Sequence, residues 1–247
     1  MTRPTPNTSL IVRTGSFALI AAALFTLTRM LPVVFSDGFH SGSLPPGQNA
    51  AQTAETALLG GWYFSHIMAM LTVPLFIYGF LAVYQSVRAQ SGVSPAERVT
   101  LAGFVILIVA GVLYLSGAAL DGIALGAVSK HYAAASGTEK EFAGMIVMAV
   151  TESAASFGAH YMILAMIGTG VLAYGLRLAG LGTFQSILGI AIGLLGLVGW
   201  VSGFFDVTFQ ERLWALLGMI ALAMMWWISL GVVLIRGRKF SAAQVAS

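Results

Sequence analysis

Apolar positions along this chain do not alternate with polar ones; they gather into long runs. Six can be marked, roughly residues 15–35, 54–87, 96–128, 139–176, 184–205 and 209–235. A helix that crosses a bilayer needs about 20 consecutive apolar residues, and each run is long enough. The second, third and fourth exceed that length and are expected to tilt or to project from the membrane. The pattern predicts an all-α polytopic transmembrane helix bundle with six spans, forming a single membrane domain over residues 1–247. The connections at 36–53 and 129–137 carry some length, the first rich in Gly and Pro; those on the other side are short, so sequential helices should pack antiparallel.

Helix starts are marked by side chains that satisfy the first free backbone N–H groups. Ser94-Pro95-Ala96-Glu97 places a cap, a first-turn proline and a capping-box acid in register. Thr138-Glu139-Lys140-Glu141 and Thr208-Phe209-Gln210-Glu211 repeat the Thr-x-x-Glu box. In the fifth run, Gly182, Gly189, Gly193, Gly196 and Gly203 fall on one narrow stripe. Small residues let membrane helices approach closely, so the stripe reads as a packing face, with a substrate groove as the other reading.

Composition agrees with the runs. The residues are 58% hydrophobic and 9% charged, against roughly 25% charged in soluble domains, so lipid must face much of the chain. The net charge of +3 would suit a nucleic-acid partner, but the basic residues sit at helix ends on alternating loops. Arg3 and Arg13, then Arg88 and Arg98, then Arg177, then Arg236, Arg238 and Lys239 mark one side. Asp37, Glu55, Asp121, Glu139, Glu141, Asp206 and Glu211 fall to the other, with Lys130, Lys140 and Arg212 as exceptions. The positive-inside rule then places both termini in the cytoplasm, N-in and C-in, with membrane lipids as partners and no nucleic acid. The first run continues past Arg29 to Phe35, so it is read as a retained span and not as a cleaved signal. There is no cysteine, which removes disulfide, thiolate and cysteine-metal chemistry.

Ionisable groups inside a membrane are costly and point to function. Measured from the cytoplasmic arginines at ~1.5 Å per residue, Arg29 lies ~24 Å up, His66 ~33 Å, Asp121 ~35 Å, His160 ~26 Å and Glu152 ~38 Å. All fall in the outer half of a core of ~30 Å. The inner half holds Thr72, Tyr78, Thr169 and Ser229; no chain of ionisable groups crosses it, which weakens a pump or ion channel. Glu152, Ser156 and His160 follow i, i+4, i+8 and share one side of a helix. They form either a metal or acid/base site, with Glu152 orienting His160, or separate contacts to water and to a neighbouring helix. His66, one turn after Trp62, is either an interfacial anchor or a partner of His160 or Asp121. Arg29 is the cation at hand for Asp121 or Glu152. Asp206 is read as a turn or cap residue, and His40 and His131 receive no role.

Neither His-Glu-x-x-His, a P-loop nor Gly-x-Ser-x-Gly is present. Met68, Met70, Met162 and Met166 near the two histidines would suit copper, but packing accounts for them. Through the segment Ala119-Leu120-Asp121-Gly122, the early Arg29 and the six-run layout, the chain resembles bacterial membrane proteins grouped as a domain of unknown function, of the DUF4386 type. That resemblance implies six helices in a bacterial inner membrane and carries over no site residue.

Four functions compete. A binding or accessory membrane protein needs only an outer polar cluster, with Arg29, Asp121 and Glu152 in one salt-bridged network and either a homo-oligomer or a partner membrane subunit. A metal-dependent membrane enzyme would use His66, Asp121, Glu152 and His160 as ligands of a divalent metal. A haem b protein would use His66 and His160 as axial ligands. A small-molecule transporter lacks an inverted repeat to support it.

Overall fold

The computed structural model describes residues 6–35, 49–202 and 209–236, with side chains for 10–28, 49–59, 61–201 and 218–236. Every regular element among them is helical. In chain order they are α1 (Pro6–Phe35), α2 (Ala50–Leu58), α3 (Gly60–Ser91), α4 (Pro95–Ala118), a π-helical segment (Ala119–Ala124), α5 (Leu125–Ala134), α6 (Gly137–Leu178), α7 (Thr183–Ser202) and α8 (Phe209–Ile235). Six stretches are long and apolar enough to cross a membrane: Leu10–Thr28, Gly61–Ser91, Pro95–Ala134, Gly137–Leu178, Thr183–Val201 and Gly218–Ile235. The protein is a multi-pass, all-α membrane protein.

Three departures from the expected elements matter. The second apolar run is broken. Asn49 caps α2 by accepting from the Gln52 N–H at 3.1 Å, Leu59 turns to extended backbone (ψ 132°), and α3 begins afresh at Gly60-Gly61, the poorest helix formers available short of proline. The third run contains a π turn, in which the Leu125 N–H reaches the Leu120 carbonyl, five residues back. The fourth run starts two residues earlier than the Thr138 box implies. The Lys140 N–H bonds the Ser136 carbonyl at 3.4 Å, and Gly137 takes φ +55°, a conformation glycine adopts without a Cβ penalty. The Ser94 cap stands, accepting from the Glu97 N–H at 3.3 Å. The Glu97 carboxylate, however, is buried and accepts from the Tyr84 hydroxyl at 2.5 Å. The Thr208 cap and the Asp206 turn lie outside the described residues.

The chain falls into two compact units, one of Met1–Leu27, Val73–Gly111 and Met162–Ser247, the other of Thr28–Thr72 and Val112–Tyr161. The first unit is held by glycines at helix crossings. A Cβ on Gly79 would stand 2.5 Å from Leu19 Cβ, one on Gly103 2.5 Å from Leu172 N, and one on Gly193 2.5 Å from Gly170 Cα. The α7 stripe is thus filled from Gly189 to Gly196. Gly189 abuts Ala173 and Trp226, Gly193 abuts Gly170, and Gly196 abuts Met166; at these three positions the stripe is a packing face, while Gly203 lies outside the described residues. Phe76 and Phe80 each present an edge or face to Trp227 at 5.0 Å. The polar groups here are satisfied locally. Tyr78 pairs with Thr14 at 2.7 Å. Thr169 donates to the Ala165 carbonyl at 2.7 Å and accepts from Trp227 Nε1 at 3.0 Å, and Ser229 donates to the Trp226 carbonyl at 2.7 Å.

The second unit is built around Ala57, Leu125 and Val147, flanked by Trp62, Val128, Tyr132 and Val150. Ser129 of α5 is fully buried and its hydroxyl has no hydrogen-bond partner among the described residues. Desolvating a hydroxyl without a partner costs ~1–3 kcal/mol. Ser129→Ala should therefore melt at or above the wild-type temperature in detergent; a fall of several degrees would mean that the hydroxyl is bonded.

Candidate functional site

Asp121 lies in the π segment, where the widened turn and the residue after it shape the approach of α3. Gly122 sits directly against His66, and a Cβ there would collide with His66 Cβ. This approach lets His66 Nε2 meet Asp121 Oδ2 at 2.9 Å, the two side chains being 13% and 32% exposed. His66 Nδ1 lies 2.8 Å from the Trp62 carbonyl, and Trp62 Nε1 donates to the Asp121 carbonyl at 2.8 Å. Trp62 and His66 rings pack at 4.7 Å. Two residues of α3 thus grip the π turn through one side-chain bond and one backbone bond.

The tautomer of His66 follows from its geometry. A backbone carbonyl only accepts, so Nδ1 carries hydrogen; the Ser65 hydroxyl, at 3.5 Å, is too distant to reverse that. Both imidazole nitrogens are also engaged, so His66 binds haem or a metal only by giving up a bond to Asp121 or Trp62.

Directly after the π turn, α5 forms one wall of an open pocket of about 620 Å³. Ala50 of α2 and Tyr132 of α5 face Lys140, Glu141, Met145, Met148 and Glu152 of α6 across it. The Lys140 ammonium stands 5.0 Å over the Tyr132 ring. The α5–α6 connection is clipped by His131 Nε2 and Glu139 Oε1 at 3.5 Å, and Thr53 of α2 contacts Met148 sulfur at 4.0 Å.

Of the sequence-derived candidates, the structure brings His66 and Asp121 together. Glu152 is exposed and lines the pocket. His160 is exposed and directs Nδ1 to the Ser156 carbonyl at 2.7 Å, so its orienter is its own helix backbone and not Glu152. Among the described residues no three His, Asp or Glu side chains converge to hold a metal ion, and the four-ligand set is not assembled. The Arg29 side chain lies outside the described residues; the partner given to Asp121 is His66. Tyr132, Met145 and Met148 were not singled out from the sequence. Lys140 left a signal there as an exception to the loop-charge rule. Compared with protein-family models, curated proteins and solved structures, the chain matches none.

Proposed function

We propose that this protein binds a small molecule from the non-cytoplasmic side of a bacterial inner membrane, as a binding or accessory protein with both termini inside. The observation that carries this reading is the pocket between α2, α5 and α6, whose volume of about 620 Å³ falls in the ~300–1,000 Å³ range of ligand sites. Its makeup fits as well: methionine and alanine surfaces with a few converging polar groups. The His66–Asp121 pair supports the site by fixing the π turn from which α5, and hence Tyr132, extends. Tyr78, Thr169 and Ser229 are each satisfied locally, so among the described residues of the first unit these three form no relay, which favours binding over ion translocation. The bacterial setting rests on the family resemblance and the side on the loop charges.

The cysteine-free chain makes the test direct. Ala149→Cys in the pocket should react with a membrane-impermeant maleimide on intact cells. Val93→Cys, in the short connection between α3 and α4, should react only after permeabilisation. Labelling of Val93→Cys but not Ala149→Cys on intact cells would overturn the orientation. An Ala149→Cys thiol that stays unreactive in both preparations would overturn the open pocket.

A further inference from the structure

We infer that the pocket's ligand is a monovalent organic cation, an amine or quaternary ammonium with a short apolar body, seated on the Tyr132 ring in place of the Lys140 ammonium. This rests on the binding role proposed above and adds the ligand's chemistry. Charge is the first argument. Glu141 and Glu152 bring two carboxylates to the lining and Lys140 one ammonium, a surplus of one negative charge. Glu139 is engaged by His131, but among the described residues neither Glu141 nor Glu152 has an ion-pair partner. An anion entering here would face both.

The second argument is the seat itself. Lys140 Nζ lies 5.0 Å from the Tyr132 centroid, inside the ~6 Å within which a ring face attracts a cation. The ring is thus already used as a cation site by a tethered group on a flexible stem, which can swing out to water when a ligand arrives. The third is the surround. Met145 and Met148 supply polarizable sulfur and methylene surface that adapts to apolar groups, while Ala50, Gly144 and Ala149 keep the floor low. A Cβ on Gly144 would come within 3.3 Å of Ala50 and 3.4 Å of Tyr132, so its absence leaves room beside the ring.

The test uses full-length protein in a non-ionic detergent, with phenyltrimethylammonium, its neutral isostere tert-butylbenzene and benzenesulfonate as probes, titrated by calorimetry. Phenyltrimethylammonium should bind and the other two should not. Lys140→Met removes the tethered competitor, so the cation should bind more tightly, by about threefold, the size of one exposed cation–π contact. Glu152→Gln should weaken it by a similar factor. Both positions are exposed, and a melting curve on each variant confirms folding. Binding of benzenesulfonate that is lost in Lys140→Met would overturn the cation assignment while leaving a binding protein. No binding of phenyltrimethylammonium, or unchanged affinity in both variants, overturns it too. The maleimide experiment, which needs no ligand, decides the pocket separately.

Discussion

Gly193→Leu is expected to yield little or no folded protein. A Cβ at this position would stand 2.5 Å from Gly170 Cα, 3.1 Å from Gly170 N and 3.4 Å from the Met166 carbonyl oxygen. These are backbone atoms of α6, which cannot rotate aside as a side chain does. Admitting leucine requires α6 and α7 to move apart, and that would also open the Gly189–Ala173 and Gly196–Met166 contacts on the same face. Overpacking a core whose side chains can adjust costs ~1–3 kcal/mol; with only backbone to yield, the cost here should reach or pass the top of that range. Size-exclusion chromatography after graded heating in detergent reads the effect. Gly158→Ala is the matched control: its new Cβ meets nothing within 4 Å, and replacing a mid-helix glycine should add up to ~1 kcal/mol. A Gly193→Leu protein that melts with wild type would show that α6 and α7 do not touch at this crossing.

That α7 packs through its glycines was readable in advance, though not against which helix, and why it was readable shows what the rest lacked. Glycine spacing on a helix is periodic, and in a bilayer close packing is nearly its only use. Run length and the Ser94 cap are equally local, so six spans and the start of α4 followed from sequence. The His66–Asp121 pair was only one of several pairings because it depends on a π turn. One extra residue in a turn rotates everything beyond it by about 100°, since each helical residue turns by that angle, and Ala119-Leu120-Asp121-Gly122 has no composition that demands it. The break at Leu59 was hidden by the apolar character of Leu58 and Leu59, although Gly60-Gly61 marked it. The pocket was the least visible part. Tyr132 and Met148 are ordinary helix residues, and they acquire a shared purpose only when α5 folds back along α6. Lys140 was visible only as one of three exceptions to the loop-charge pattern, with Lys130 and Arg212.

The pair of His66 and Asp121 can be separated from simple packing by a graded series. Asp121→Asn keeps the shape and lets the amide N–H donate to Nε2, which Nδ1–H leaves as an acceptor, so the loss should be small. Asp121→Ala leaves Nε2 unpartnered and should cost ~1–3 kcal/mol, the penalty of a stranded buried polar atom. It should fall short of the ~3–5 kcal/mol of a fully buried broken ion pair, because the Asp121 side chain is 32% exposed. Gly122→Ala should cost most. Its Cβ runs into the root of the His66 side chain, where no rotamer gives relief, and it forces α3 from the π turn, breaking the Nε2–Oδ2 bond and the Trp62–Asp121 bond together. Melting temperatures in detergent should therefore fall in the order Asn, Ala at 121, then Ala at 122. The same order should appear at the pocket, since α5 begins where the π turn ends. With Ala149→Cys as reporter, maleimide should react fastest in the Gly122→Ala background as the α5 wall loosens. A His66→Ala, Asp121→Ala double variant that loses the sum of the two single losses would show no coupling between the pair, and the π turn would then owe its place to Trp62 and to packing alone.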